Sequence, residues 1–224
     1  KSWNFAEEFG NARILLVNKM DRERADFPAA LAGIEKVLDR KAVAVQLPIG
    51  SEKDFRGVVD LVEMKAYSFE PGGDGKGSEI EIPADMASAV EAARESLIEA
   101  VAECDDDLLN EYLENMSLPP EKVPGGLRKG IREKSIYPVL CASALHNMGT
   151  SAVLDFLQAY APDPTARSEV RAKEDSSGDA SRKVADDQPL SLFVYKTVAD
   201  AFAGRVSYFK VVSGVLENDD YVRN

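Results

Sequence analysis

The sequence has little of what zinc sites and nucleophilic triads are built from. Histidine occurs once, as His146, with no Ser, Cys or carboxylate arrangement that suggests a triad or metal site, and it is expected to be a loop residue. The two cysteines, Cys104 and Cys141, lack metal-ligand spacing and are expected as reduced thiols of a cytoplasmic protein rather than a disulfide. No apolar run approaches the roughly 20 residues that span a bilayer, so no membrane role is expected. No signal-peptide pattern follows Lys1-Ser2-Trp3-Asn4, and no initiator Met precedes it, so the chain is expected to start inside a longer protein.

Positive charge is outnumbered, 27 Lys and Arg against 39 Asp and Glu. The formal net charge is −12, and from Glu79 to Asn115 twelve acids are opposed by Arg94 alone. Such a surface repels phosphate and excludes a direct grip on nucleic acid. It suits a basic protein partner, or simply solubility. What is present otherwise is ordinary: 224 residues, 45% apolar and 29% charged, enough for a globular core.

Hydrophobic periodicity predicts a helix ending at Gly10, a buried strand over 13–18 and a helix over 26–40 capped by Asp26 before Pro28. "AVAVQLPIG" and "FRGVVDLVEMKAYSF" read as strands, "PGGDGKGS" as a flexible hairpin tip, and "EIEI" as a short strand. The tip lacks the spacing of a phosphate cradle despite Lys76. Helices are expected over 84–103 and 106–115, with Met86, Val90, Ala93, Leu97 and Val101 inward, and another ending near Lys134. Then come a buried strand over 137–143 and a helix over 150–160. Residues 166–188 have no Leu, Ile, Phe or Tyr and read as a linker or disordered loop. "LSLFVYKTV" and "RVSYFKVVSGVL" read as strands of a further β domain.

The two buried strands, each followed by a helix, are the natural pair of a parallel α/β sheet, whose ligands bind at the carboxyl ends of the strands. There stand Asn18-Lys19-Met20-Asp21 and Ser143-Ala144-Leu145. A carboxylate held edge-on accepts both the N1–H and the 2-amino group of guanine, while adenine leaves it unpaired. Asp21 suits that role. The Lys19 stem suits the flat face of the base, the Asn18 amide a tie between loops, and the Ala144 N–H a bond to guanine O6. Turn and cap formation is the plainer use of Asn18 and Asp21.

These residues resemble a translational GTPase, most closely the bacterial elongation factor G family. "VNKMDRERADF" resembles its guanine-specificity motif and "YPVLCASALHNMG" its second base-contacting loop. "QLPIGSEKDFRGVVDLVEMKAY" and "RESLIEAVAECDDDLLNEYLE" resemble its inserted subdomain, and "PLSLFVYKTVADAFAGRVSYFKVVSGVL" the opening of its β-barrel second domain. The resemblance implies guanine-binding roles for Asn18, Lys19, Asp21, Ser143, Ala144 and Leu145. It also implies GTP or GDP with Mg²⁺ as ligands, ribosome-stimulated GTP hydrolysis and movement of tRNA and mRNA. Its partners would be the ribosomal stalk protein, through the acidic insert, and rRNA, through the second and later domains. Departures are Ala142 where the family has Gly, Leu145-His146 where it has an aromatic and Lys, and Glu23-Arg24 where it has a Gly after Met-Asp-Arg.

No G-x-x-x-x-G-K-[ST] occurs, and no D-x-x-G precedes Asn18. The chain is therefore expected to be an internal segment, inactive by itself, carrying base recognition but neither phosphate nor Mg²⁺ ligands. The expected division is a partial G domain over 1–42 and 135–165, an α+β insert over 43–134, a linker over 166–188 and the start of a β barrel over 189–224. The competing readings are a ribosomal protection protein or non-translocating paralogue, and a non-catalytic acidic interaction module.

Overall fold

The computed structural model describes residues 1–38, 42–174 and 178–222. They fall into two compact units, Lys1–Pro162 and Asp163–Asn224.

The first unit is built round a three-stranded parallel sheet of order β1 (Leu15–Val17), β7 (Tyr137–Cys141), β2 (Ala42–Ala44). β7 is central and buried at every residue, as the apolar run "YPVLC" demands of a strand covered on both faces. Leu15 pairs with Val139 and Val17 with Cys141, so the strands of the two motifs are direct neighbours. β2 was expected to belong to the insert; it extends the parallel sheet on the far side of β7. The chain changes sheets at Val45, whose N–H donates to Val139 O at 3.1 Å and whose carbonyl accepts the Leu61 N–H at 3.0 Å.

Beyond Val45 lies a four-stranded antiparallel sheet of order β3 (Gln46–Ile49), β4 (Gly57–Asp60), β5 (Lys65–Ser68), β6 (Ser78–Ile80). The run "FRGVVDLVEMKAYSF" is thus two strands, not one. Asp60 Oδ1 accepts the Val62 and Glu63 N–H groups at 2.7 and 2.9 Å, and Met64 takes φ +56°, which folds the chain back as a hairpin.

Helix α1 (Ser2–Glu8) precedes β1, and the Arg13 guanidinium lies 4.3 Å from the Trp3 ring and 4.9 Å from that of Tyr137. α2 (Phe27–Leu38) starts where expected, with Asp26 Oδ1 accepting the Ala29 N–H at 2.9 Å; residues 39 and 40 of the expected helix lie outside the described residues. α3 (Ala87–Ala102) buries Val90, Leu97 and Val101, and its Arg94 donates to the carbonyls of Leu61 and Val62. α4 (Asp106–Asn115), α5 (Val123–Glu133) and α6 (Thr150–Tyr160) complete the unit.

In the second unit β10 (Ser191–Asp200) and β11 (Gly204–Ser213) pair antiparallel. The segment expected as a linker carries a hairpin, β8 (Glu169–Glu174) against β9 (Gly178–Lys183); residues 175–177 lie outside the described residues. The expectation failed because it weighed side-chain burial, whereas a hairpin ladder is made by backbone groups.

Candidate functional site

Two backbone hydrogen bonds carry the β1–β7 pairing past the strand ends. Ala142 N–H donates to Val17 O at 3.1 Å, and Met20 N–H donates to Ala142 O at 3.2 Å. Met20 is 1% exposed, so the third residue of Asn-Lys-Met-Asp is an apolar anchor while its neighbours Asn18 and Lys19 face solvent. That reversal within one residue needs a sharp turn, and Lys19 supplies it at φ +66°.

The second loop is closed on itself. Ser143 N–H donates to Met148 O at 2.9 Å and Met148 N–H to Ser143 O at 3.0 Å, with Asn147 at φ +53° between them. Ser143 is fully buried, and its hydroxyl donates to Asp21 Oδ1 at 2.5 Å. The Asp21 side chain is 9% exposed; its Oδ2 lies 3.5 Å from His146 Nε2 and 3.6 Å from Arg22 Nε. The Ser143 hydrogen bond first, with smaller help from His146 and Arg22, holds the Asp21 carboxyl below its ordinary pKa against the opposing pull of desolvation. The result is an ionised carboxylate fixed by one buried donor at the end of a parallel sheet.

Asn18 Oδ1 accepts the Lys19 N–H at 2.7 Å and the Ala144 N–H at 3.0 Å. The Ala144 N–H, expected to be aimed at a base, is therefore engaged by the amide that ties the two loops. Lys19 is exposed, and Leu145 is 68% exposed. The structure thus brings Asn18, Asp21, Ser143 and Ala144 together from two distant parts of the sequence, with Lys19 and Leu145 at the rim. His146 is the residue that sequence reasoning set aside as a plain loop position. The signal was its place, where the resembled family has a Lys.

Among the described residues no group of three or more His, Cys, Asp or Glu is placed to hold a metal ion. A mostly apolar cavity of about 250 Å³ beside α2, bounded by Phe27, Leu31, Val43, Leu47 and Ala93, includes none of the strand-end residues. No helix among the described residues is long and apolar enough to cross a membrane.

A parallel α/β sheet with Asn18–Asp21 at one strand end and Ser143–Leu145 at the next has its polar loops where α/β folds bind ligands. The model of the elongation factor Tu GTP binding domain matches residues 1–163, and the chain belongs to that family. It is also similar to a crystal structure of a protein from Thermus thermophilus, with 27% sequence identity and a TM-score of 0.79. That match covers 98% of this chain and 30% of the other, so the chain spans less than a third of that protein's length.

Proposed function

We propose that the two strand ends form the base-specific half of a GTP/GDP site in a ribosome-associated translational GTPase of the elongation factor G type, a cytoplasmic factor that couples GTP hydrolysis to movement of tRNA and mRNA. The observation that carries this reading is the Asp21 carboxylate, held ionised by the fully buried Ser143 hydroxyl at 2.5 Å. A carboxylate with one oxygen tied by a fixed donor and lone pairs remaining can accept the N1–H and 2-amino group of guanine. Asn18 and Ala144 keep the second loop beside it, and Lys19 and Leu145 flank the base.

The residues present fit a guanine base and do not fit Mg²⁺ or a triphosphate, so no hydrolytic step is assigned to them. The phosphate loop, the Mg²⁺ ligands and the group orienting the attacking water would belong to parts of the protein outside this sequence. The chain by itself is accordingly read as inactive toward GTP. The domain division retained here is a partial G domain, an inserted subdomain that meets the stalk protein through its acidic helices, and the beginning of a β barrel that meets rRNA.

The test is Asp21→Asn in the whole protein. An amide offers a donor where the carboxylate had an acceptor, and xanthine has an acceptor where guanine has its 2-amino group. Preference should move from guanosine toward xanthosine nucleotides in a competition assay; unchanged guanine preference overturns the assignment. Leu145-His146 and Ala142 depart from the elongation factor G pattern and favour a paralogue or ribosomal protection protein as the second reading. Translocation measured on ribosomes separates the two.

A further inference from the structure

The two base-recognition loops are each held from outside by the inserted subdomain. On one side Glu52 Oε1 accepts the Arg24 N–H at 2.7 Å, fastening the turn that carries Asp21. On the other, the glycine-rich loop after β5 lies against the loop after β7. Gly72 N–H donates to His146 O at 2.7 Å, Asn147 Nδ2 donates to Gly73 O at 2.9 Å, and Ser151 Oγ donates to Gly75 O at 2.5 Å.

The backbone shows that both contacts are built. Glu52 sits at φ +52° and Arg24 at φ +66°, a conformation that non-glycine residues hold only when their surroundings impose it. Gly75 is buried at φ +83°, and a Cβ there would lie 2.9 Å from the Asn147 amide. Gly75 thus serves close approach, and the bare backbone of this loop offers the Gly73 and Gly75 carbonyls to Asn147 and Ser151.

We propose that the insert positions the base-recognition loops. Glu52 braces the Asp21 turn, and Asn147 and Ser151, through the glycine-rich loop, brace the Ser143–Ala144 loop. This rests on the guanine reading above. Base readout needs donors and acceptors placed within tenths of an ångström, and Lys19, Arg24 and Asn147 all carry positive φ in these loops, so the loops do not hold that geometry by local preference. Glu52, Asn147 and Ser151 are positioning residues; they act through the loops and not on the base.

The experiment measures release of a fluorescent GDP analogue from the whole protein. Glu52→Ala, and Asn147→Ala combined with Ser151→Ala, should each release it about three- to tenfold faster, the range expected for loss of one or two net hydrogen bonds. Glu52→Gln keeps an acceptor and Ser151→Thr keeps a hydroxyl, so both should release at close to the wild-type rate. Wild-type release from the alanine variants, or conservative variants as fast as the alanine ones, overturns the brace. Asp21→Asn measured alongside separates the two proposals. If it switches base preference while the brace variants behave as wild type, only the brace fails; if it does not switch, both fail.

Discussion

Asp21 depends on Ser143 more than on any other neighbour. Its carboxyl is held below the ordinary value near pKa 3.9, chiefly by the Ser143 hydroxyl. A carboxyl whose folded pKa is depressed contributes stability that is present above the unfolded value and lost as pH falls through the folded one. Ser143→Ala removes the largest cause, so the stability gap between wild type and variant should be wider at about pH 6 than at about pH 3. Urea unfolding at the two pH values checks this. An equal gap would mean that the hydroxyl serves packing alone. Burial pushes the Cys141 thiol up strongly, and Cys104 up as well, so neither has the thiolate character of a nucleophile at neutral pH.

At the scale of elements, α5 shows how one glycine differs from the next. A Cβ on Gly126 would lie 2.5 Å from Val101 Cγ1 and 2.9 Å from Leu108 Cδ1, so Gly126 lets α5 press against α3 and α4. One residue earlier, a Cβ on Gly125 meets nothing within 4 Å. The same substitution therefore has opposite signs. Gly125→Ala should stabilise by about 0.5–1 kcal/mol, because alanine loses less backbone entropy in a helix. Gly126→Ala should destabilise by about 1–3 kcal/mol through overpacking. Chemical denaturation of the two variants decides it; a stabilised Gly126→Ala would mean that α5 moves off its neighbours at little cost.

At the scale of the molecule, the charge is segregated. Nine of the twelve acids of 79–115 are exposed, on α3, on α4 and on the segments flanking them, while the inner face of α3 packs in the core. Glu91 and Glu95 are exposed, whereas Glu99 is half-buried and accepts the Tyr112 hydroxyl at 3.3 Å. Steering of a basic partner acts through exposed charge and is screened over about 8 Å at physiological salt. If the acids steer the proposed basic partner, replacing Glu91 and Glu95 with Gln should slow that association and flatten its salt dependence, with Glu99→Gln adding little to either. Association rates across a salt series test this, and salt-independent rates would leave the acids to solubility.

Much of the element plan was legible in the sequence because it rests on local patterns: the apolar run for β7, 3.6-residue periodicity for α2 and α3, and Asp26 before Pro28 for a helix start; the strand expected as buried over 13–18 is the shorter edge strand β1, with Leu16 45% exposed. The placing of Asn18–Asp21 at a strand end was legible for the same reason, since the apolar run stops there. The tertiary structure alone decided what needs partners distant in sequence. It assigned β2 to the parallel sheet, because strand pairing is made by backbone groups that look alike in every residue. It split 57–69 into a hairpin, because Asp60 accepts the Val62 and Glu63 N–H groups and turns the chain inside 58–69, which has no Gly or Pro to mark a turn. It put the Ser143 hydroxyl on Asp21, engaged the Ala144 N–H with Asn18, and laid a glycine-rich loop against the loop after β7. Each of these is a hydrogen bond between groups far apart along the chain or a local turn that periodicity cannot register. Periodicity reports which face of an element is buried, and burial says nothing about which donor meets which acceptor.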